Sequence, residues 1–168
     1  MKNFYNKACP QFLKSSFFRR GITLIEILVV ISILGILVTV ALPQFSKIKE
    51  NQVLKNTVED VTSALHTAQS QSLASVDSLE YGVHFQSDQI VIFKGKVFLA
   101  DAQDNKIINI ISPASISDVT LGGISSTTGD IYFERLSGMP NKTGTITVTI
   151  PSLSKIITIS ATGAVSVN

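Results

Sequence analysis

Arg19-Arg20-Gly21-Ile22-Thr23-Leu24-Ile25-Glu26-Ile27-Leu28-Val29-Val30-Ile31-Ser32-Ile33-Leu34-Gly35-Ile36-Leu37-Val38-Thr39-Val40-Ala41-Leu42-Pro43 decides how the rest of the chain is read. Between positions 22 and 42 a single side chain, Glu26, is charged. As a helix, residues 22–42 rise about 31 Å, which matches a hydrocarbon core of about 30 Å. The segment is therefore long and apolar enough to cross a bilayer.

Upstream of it lie Lys2, Lys7, Lys14, Arg19 and Arg20 and no acidic residue. By the positive-inside rule these charges keep the N-terminus in the cytoplasm and send the chain beyond Leu42 to the other side. The formal net charge of +2 belongs to this leader. Of 14 basic side chains five precede residue 22, leaving nine against 12 acidic ones, a net −3 for the remainder. The single cysteine, Cys9, is also in the leader, so the exported part can form no disulfide and relies on packing.

Downstream the sequence turns polar but keeps a helical rhythm. Phe45 and Ile48, then Leu54, Val58, Val61, Leu65 and Ala68, form the expected apolar stripe. Residues 36–76 contain no glycine and one proline, Pro43, so one helix over about 22–76 is expected, kinked near Pro43. From residue 81 short β-rich runs follow, at 81–85, 89–93, 106–111, 130–133, 145–150, 155–160 and 164–167. In Thr145-Ile146-Thr147-Val148-Thr149-Ile150 strict alternation puts Ile146, Val148 and Ile150 on one face. Lys94-Gly95-Lys96 and Ala161-Thr162-Gly163 read as tight hairpin turns, and 122–129 as a mobile loop. The fold class is α+β: a long N-terminal helix whose amphipathic half packs on an antiparallel sheet. The expected divisions are a leader at 1–21, a membrane helix at 22–42, its amphipathic continuation at 43–78 and a β-rich domain at 79–168.

The run from Phe17 to Ile31, with Gly21 before the apolar helix and Glu26 at the fifth position after it, closely resembles the class III signal of type IV pilins and type II secretion pseudopilins. The likeness extends through Ser32-Ile33-Leu34-Gly35-Ile36-Leu37 and Ala41-Leu42-Pro43; Ile22 stands where that family most often has phenylalanine or methionine. The resemblance implies cleavage between Gly21 and Ile22 by a prepilin peptidase, N-methylation of Ile22, and movement of the helix into a filament core. It also implies an inner-membrane assembly platform and sibling pilins or pseudopilins as partners.

Each part of the motif has a physical reason. Glycine at 21 offers the least bulky backbone to a protease, while Arg19 and Arg20 hold the scissile bond at the cytoplasmic surface. A carboxylate deep in a bilayer costs about 2.5 to 3.5 kcal/mol and is normally paired. Cleavage creates a cation, the α-amine of Ile22, largely protonated at neutral pH. At about 4 Å and an effective dielectric near 20 the two attract by about 4 kcal/mol before desolvation is subtracted. The resemblance implies that this pair forms between neighbouring subunits. The competing reading is that Glu26 merely snorkels to the interface.

Towards the C-terminus, Ile131-Tyr132-Phe133, Gly138, the Gly-Thr-Ile-Thr-Val strand, Lys155-Ile156-Ile157-Thr158-Ile159 and Thr162-Gly163-Ala164-Val165 resemble the end of GspH/FimT-type minor pseudopilins. No catalysis, cofactor or metal is expected. His66 and His84 lack neighbouring ligands at metal spacing, and Asp101, Asp104 and Asn105 are too sparse for a dedicated calcium loop. The net −3 of the exported part argues against nucleic acid as a partner, although Lys47, Lys49, Lys55, Lys94 and Lys96 supply local positive charge. Three functional classes remain at this point: a filament subunit, in which DNA uptake or adhesion is a minority role; a binding module on an uncleaved membrane tether; and a soluble domain released after Ala41. They differ in the mature N-terminus, Ile22, Met1 or Leu42 respectively.

Overall fold

The computed structural model describes residues 21–168, so the expectations for the leader, including Cys9, fall outside the described residues. Two compact units result, Met1–Ala41 and Leu42–Asn168. One helix, α1, spans Leu24–Leu73, and Pro43 lies within these bounds. Its start and end lie two and three residues inside the expected limits.

Within Leu42–Asn168 the helix is followed by a short 3-10 turn, Val76–Ser78, and nine strands. These are β1 (Tyr81–Phe85), β2 (Gln89–Lys94), β3 (Lys106–Asn109), β4 (Ser115–Leu121), β5 (Ile124–Ser126), β6 (Gly129–Phe133), β7 (Gly144–Ile150), β8 (Leu153–Ile159) and β9 (Val165–Val167). They form two antiparallel sheets, one in the order β3-β2-β1-β6 and the other β5-β4-β7-β8-β9. The α+β architecture expected from the sequence is present.

Leu54, Val58, Val61, Leu65 and Ala68 of α1 are buried in one cluster with Val83, Phe85, Ile90, Ile131 and Phe133 of the first sheet and Ile116, Val119, Ile146, Val148, Ile157 and Ile159 of the second. Each such valine, leucine, isoleucine or phenylalanine contributes about 1.5 to 3 kcal/mol by leaving water. The alternation in β7 puts Ile146, Val148 and Ile150 in that cluster, with half-buried threonines between them. The apolar stripe is shorter than the spacing suggested, because Phe45 and Ile48 are each 63 % exposed. Six residues separate Ile48 from Leu54, a rotation of about 240° on the helix, so the first two apolar residues face away from the core.

The end of α1 is tied to the sheet by a buried serine. The Tyr81 amide donates to Ser72 Oγ at 2.9 Å and the Leu136 amide to the Ser72 carbonyl at 3.0 Å, so this polar group is satisfied inside the core.

Two of the three loop expectations change. The segment 122–129 contains β5, which returns on β4 through a two-residue turn at Gly122 and Gly123. Their φ values of 62° and 82° suit a type I′ turn, which only glycine and a few other residues adopt easily. β4 escaped the sequence reading because its register shifts between Ile116 and Asp118, a β-bulge that spaces the buried Ile116 and Val119 by three instead of two. Lys94-Gly95-Lys96 is no tight hairpin; β2 reaches β3 through residues 95–105, which lay Phe98 on the outer face of the first sheet, 3.9 Å from the His84 ring and nearly parallel to it. The turn at Ala161-Thr162-Gly163 does join β8 to β9, with the Gly163 amide donating to the Ser160 carbonyl.

The segment 95–105 is held at its base by charge. Lys94 Nζ lies 2.9 Å from Asp77 and 3.5 Å from Asp104. The Lys94 hydrogen bond and charge, then the Tyr81 hydroxyl, hold the Asp77 carboxyl below its ordinary range, and the hydrogen bond to Asp77 raises Lys94 in return. Asp104, one of the residues weighed for calcium, thus faces a tethered ammonium. His84 pairs through Nδ1 with Asp130 across β1 and β6 and approaches Gln86 through Nε2 at 3.0 Å, so its ring is engaged in packing and in cross-strand hydrogen bonding.

Candidate processing and assembly site

Gly21, Ile22 and Thr23 precede the helix and are exposed. The Gly21–Ile22 peptide bond therefore sits in exposed, non-helical chain. What stops the helix from running further back is Thr23. Its Oγ1 accepts from the Glu26 amide at 3.2 Å, and the Thr23 amide points at Glu26 Oε2 at 3.5 Å. This is a reciprocal capping box, threonine at the N-cap and glutamate three residues on, and a cap of this kind stabilises a helix by about 1 kcal/mol. The signal was readable in Thr23-Leu24-Ile25-Glu26, but a glutamate in a membrane run draws attention to its cost and away from its place in the first turn.

Beyond the cap, Leu24–Ala41 has a mean hydropathy of 2.8 and none of it is buried against the rest of the protein. Its polar side chains are three. Ser32 Oγ donates to the Leu28 carbonyl at 2.9 Å and Thr39 Oγ1 to the Ile36 carbonyl at 2.7 Å, so both hydroxyls are satisfied by their own helix. Glu26 is different. Its one contact is the long 3.5 Å approach from Thr23, and among the described residues no cation lies within ion-pair distance of it. The polar demand left over in the span is thus concentrated at one carboxylate. An ammonium on Ile22, at the positive end of the helix dipole, would be destabilised by its own helix and stabilised by a carboxylate.

Of the residues singled out from sequence, Gly21, Ile22 and Glu26 are thus gathered within the first turn of α1 and the chain just before it. Pro43 lies inside α1, where its missing amide does not end the helix.

A family model described as the prokaryotic N-terminal methylation motif matches residues 17–42, the end of the leader, the capping box and the span. No curated protein and no solved structure matches the chain. The match supports a type IV pilin-like subunit, anchored in a membrane by its apolar helix, processed by a prepilin peptidase and assembled with other pilins through its N-terminus.

Proposed function

We propose that the chain is a structural subunit, a minor pseudopilin or minor pilin, of a type II secretion or type IV pilus filament. It is cut between Gly21 and Ile22, methylated on the Ile22 nitrogen, and drawn from the inner membrane into the filament by an assembly platform. The β-rich domain then lies on the periplasmic side, and the protein performs no catalysis. The observation that carries this reading is Glu26, the one unmet polar group in an exposed apolar helix, four residues from the amine that cleavage would expose. In the filament it pairs with the Ile22 α-ammonium of a neighbouring subunit, which satisfies both groups and sets axial register.

The GspH/FimT assignment draws support from the C-terminal elements. Ile131-Tyr132-Phe133 belongs to β6, and the two strands β7 and β8 are followed by the Gly163 turn and β9, the order that the resemblance implied.

Intact mass of the protein from cells that carry a prepilin peptidase tests the reading. The expected species begins at Ile22 and carries one additional methyl group, and Gly21→Val abolishes the cut. A chain retaining Met1 would mean a tether, and one beginning at Leu42 a secretory signal.

A further inference from the structure

The outer strands of the two sheets are not finished alike. β6 is closed along its free side by residues 140–141, where the Tyr132 amide donates to Asn141 Oδ1 and the Asn141 amide to the Tyr132 carbonyl, each at 3.0 Å. β5 and β9 are three residues long, and short edges offer little to pair with. β3 has neither protection. In its ladder with β2, Lys106 stands opposite Ile92 and Ile108 opposite Ile90, and the Ile110 amide donates to the Asp88 carbonyl at 2.8 Å. Hydrogen-bonded pairs recur at every second residue of an antiparallel ladder, so residues 106, 108 and 110 bond to β2 while the amides and carbonyls of Ile107 and Asn109 point away from it. Among the described residues nothing pairs with those four groups. The side chains are open as well: Ile107 is 57 % and Ile111 69 % exposed, and Ile108 and Ile110 are half-buried at the margin of the core. The run 106–111 holds one charge, Lys106, and no proline, and its register against β2 is regular.

We propose that β3 is the docking edge for an extended segment of a different pilin, which adds to the first sheet as a further strand beyond β3. This rests on the filament assignment above, which supplies sibling subunits as neighbours. The backbone defines the chemistry of the partner, because amides and carbonyls that alternate along an edge are satisfied together by an extended polypeptide. The side chains refine it. An added strand covers Ile108 and Ile110 on the inner face and Ile107 on the outer, so its own middle residues are apolar towards both. A second copy of this chain does not fit. Two β3 strands paired edge to edge run antiparallel and are related by a two-fold axis normal to the sheet. That axis reverses α1, whose buried stripe lies along the inner face, whereas chains anchored in one membrane share one sense.

The test replaces exposed Ile111 of the full chain with photoreactive p-benzoylphenylalanine, in cells that carry a prepilin peptidase and the sibling pilins, and identifies the adduct by peptide mass. The expected adduct joins this chain to a sibling pilin. Asn109→Pro removes one outward amide and spares the ladder with β2, so the adduct is expected to fall about tenfold. Asn109→Ala keeps that amide and is expected to keep the adduct. Ile107→Lys puts a charge on the open edge and is expected to act in the same direction as the proline, and it decides the matter if Asn109→Pro melts below the parent. No adduct, an adduct to a second copy or to a protein that is not a pilin, or a yield indifferent to both edge changes overturns the proposal. Intact mass of the same chains separates the two claims. Chains beginning at Ile22 without an adduct overturn the strand addition and leave the processing standing, whereas chains that retain Met1 and still give an edge-sensitive adduct keep the strand addition and overturn the processing.

Discussion

Thr23 and Glu26 share one turn, and the cap explains why a carboxylate can be tolerated there before any neighbour arrives. The Glu26 charge sits at the helix N-terminus, where the dipole favours it, and accepts the otherwise unsatisfied Thr23 amide. The cap is a partial answer, since a 3.5 Å approach leaves most of the acceptor capacity of the carboxylate free. Thr23→Ala should remove the Oγ1 acceptor and cost about 1 kcal/mol of local helix stability. Hydrogen exchange on the full chain in detergent micelles would then show faster exchange of the first-turn amides, with no change at Leu54–Ala68. Unchanged first-turn exchange would mean that the box contributes nothing. Of this site, Gly21 and Glu26 were legible because charge and glycine stand out in an apolar run. The cap went unread because its two residues announce themselves only when their spacing is checked against the helix start.

At the scale of elements, α1 carries an apolar stripe with a definite edge. Leu65 is fully buried and Phe45 is not, although both belong to what the sequence presents as one rhythm. Leu65→Ala should cost about 2 to 5 kcal/mol, whereas Phe45→Ser should change stability by no more than about 0.5 kcal/mol. Thermal unfolding of the two variants checks this, and equal losses would place Phe45 in the core. The strands were legible wherever alternation was strict, as in β1 and β7. They were not where a bulge broke it, as in β4, or where a strand of three exposed residues had nothing to bury, as in β5. Glycine misled in both directions: Gly95 opens a long segment, while Gly122 and Gly123 make the tight turn between two unrecognised strands.

The ionic tie at the base of residues 95–105 gives the element a pH dependence. The folded protein holds Asp77 below its ordinary range through Lys94, and Asp118 likewise through the Ser125 and Thr120 hydroxyls. A depressed carboxyl contributes stability that is present above its unfolded pKa, near 4, and is lost as pH falls through the folded value. The raised Lys94 works in the opposite sense, its contribution persisting through neutral pH and vanishing only in strong alkali. The melting temperature should therefore hold from pH 7 to about pH 5 and fall below about pH 4, and Asp77→Asn should flatten part of that fall. A variant with the same acid limb as the parent would show that Asp77 is not a contributor.

For the whole molecule, the division of labour follows from where apolar surface is buried and where it is left open. The Leu42–Asn168 unit buries most of its apolar core, from one helix and two sheets, in a single cluster, while the Leu24–Ala41 span buries none within the chain. Lipid can cover the span, but lipid cannot satisfy Glu26. That asymmetry is why a subunit of this design is stable as a membrane protein and better satisfied as a filament component. The most direct measurement compares the parent with Glu26→Leu in cells that carry the peptidase and sibling pilins, scoring the fraction of processed chain recovered in sheared filaments. The account predicts that the variant is still cut to an Ile22 N-terminus and remains in the membrane fraction, absent from filaments. Recovery of Glu26→Leu in filaments at the level of the parent would contradict it.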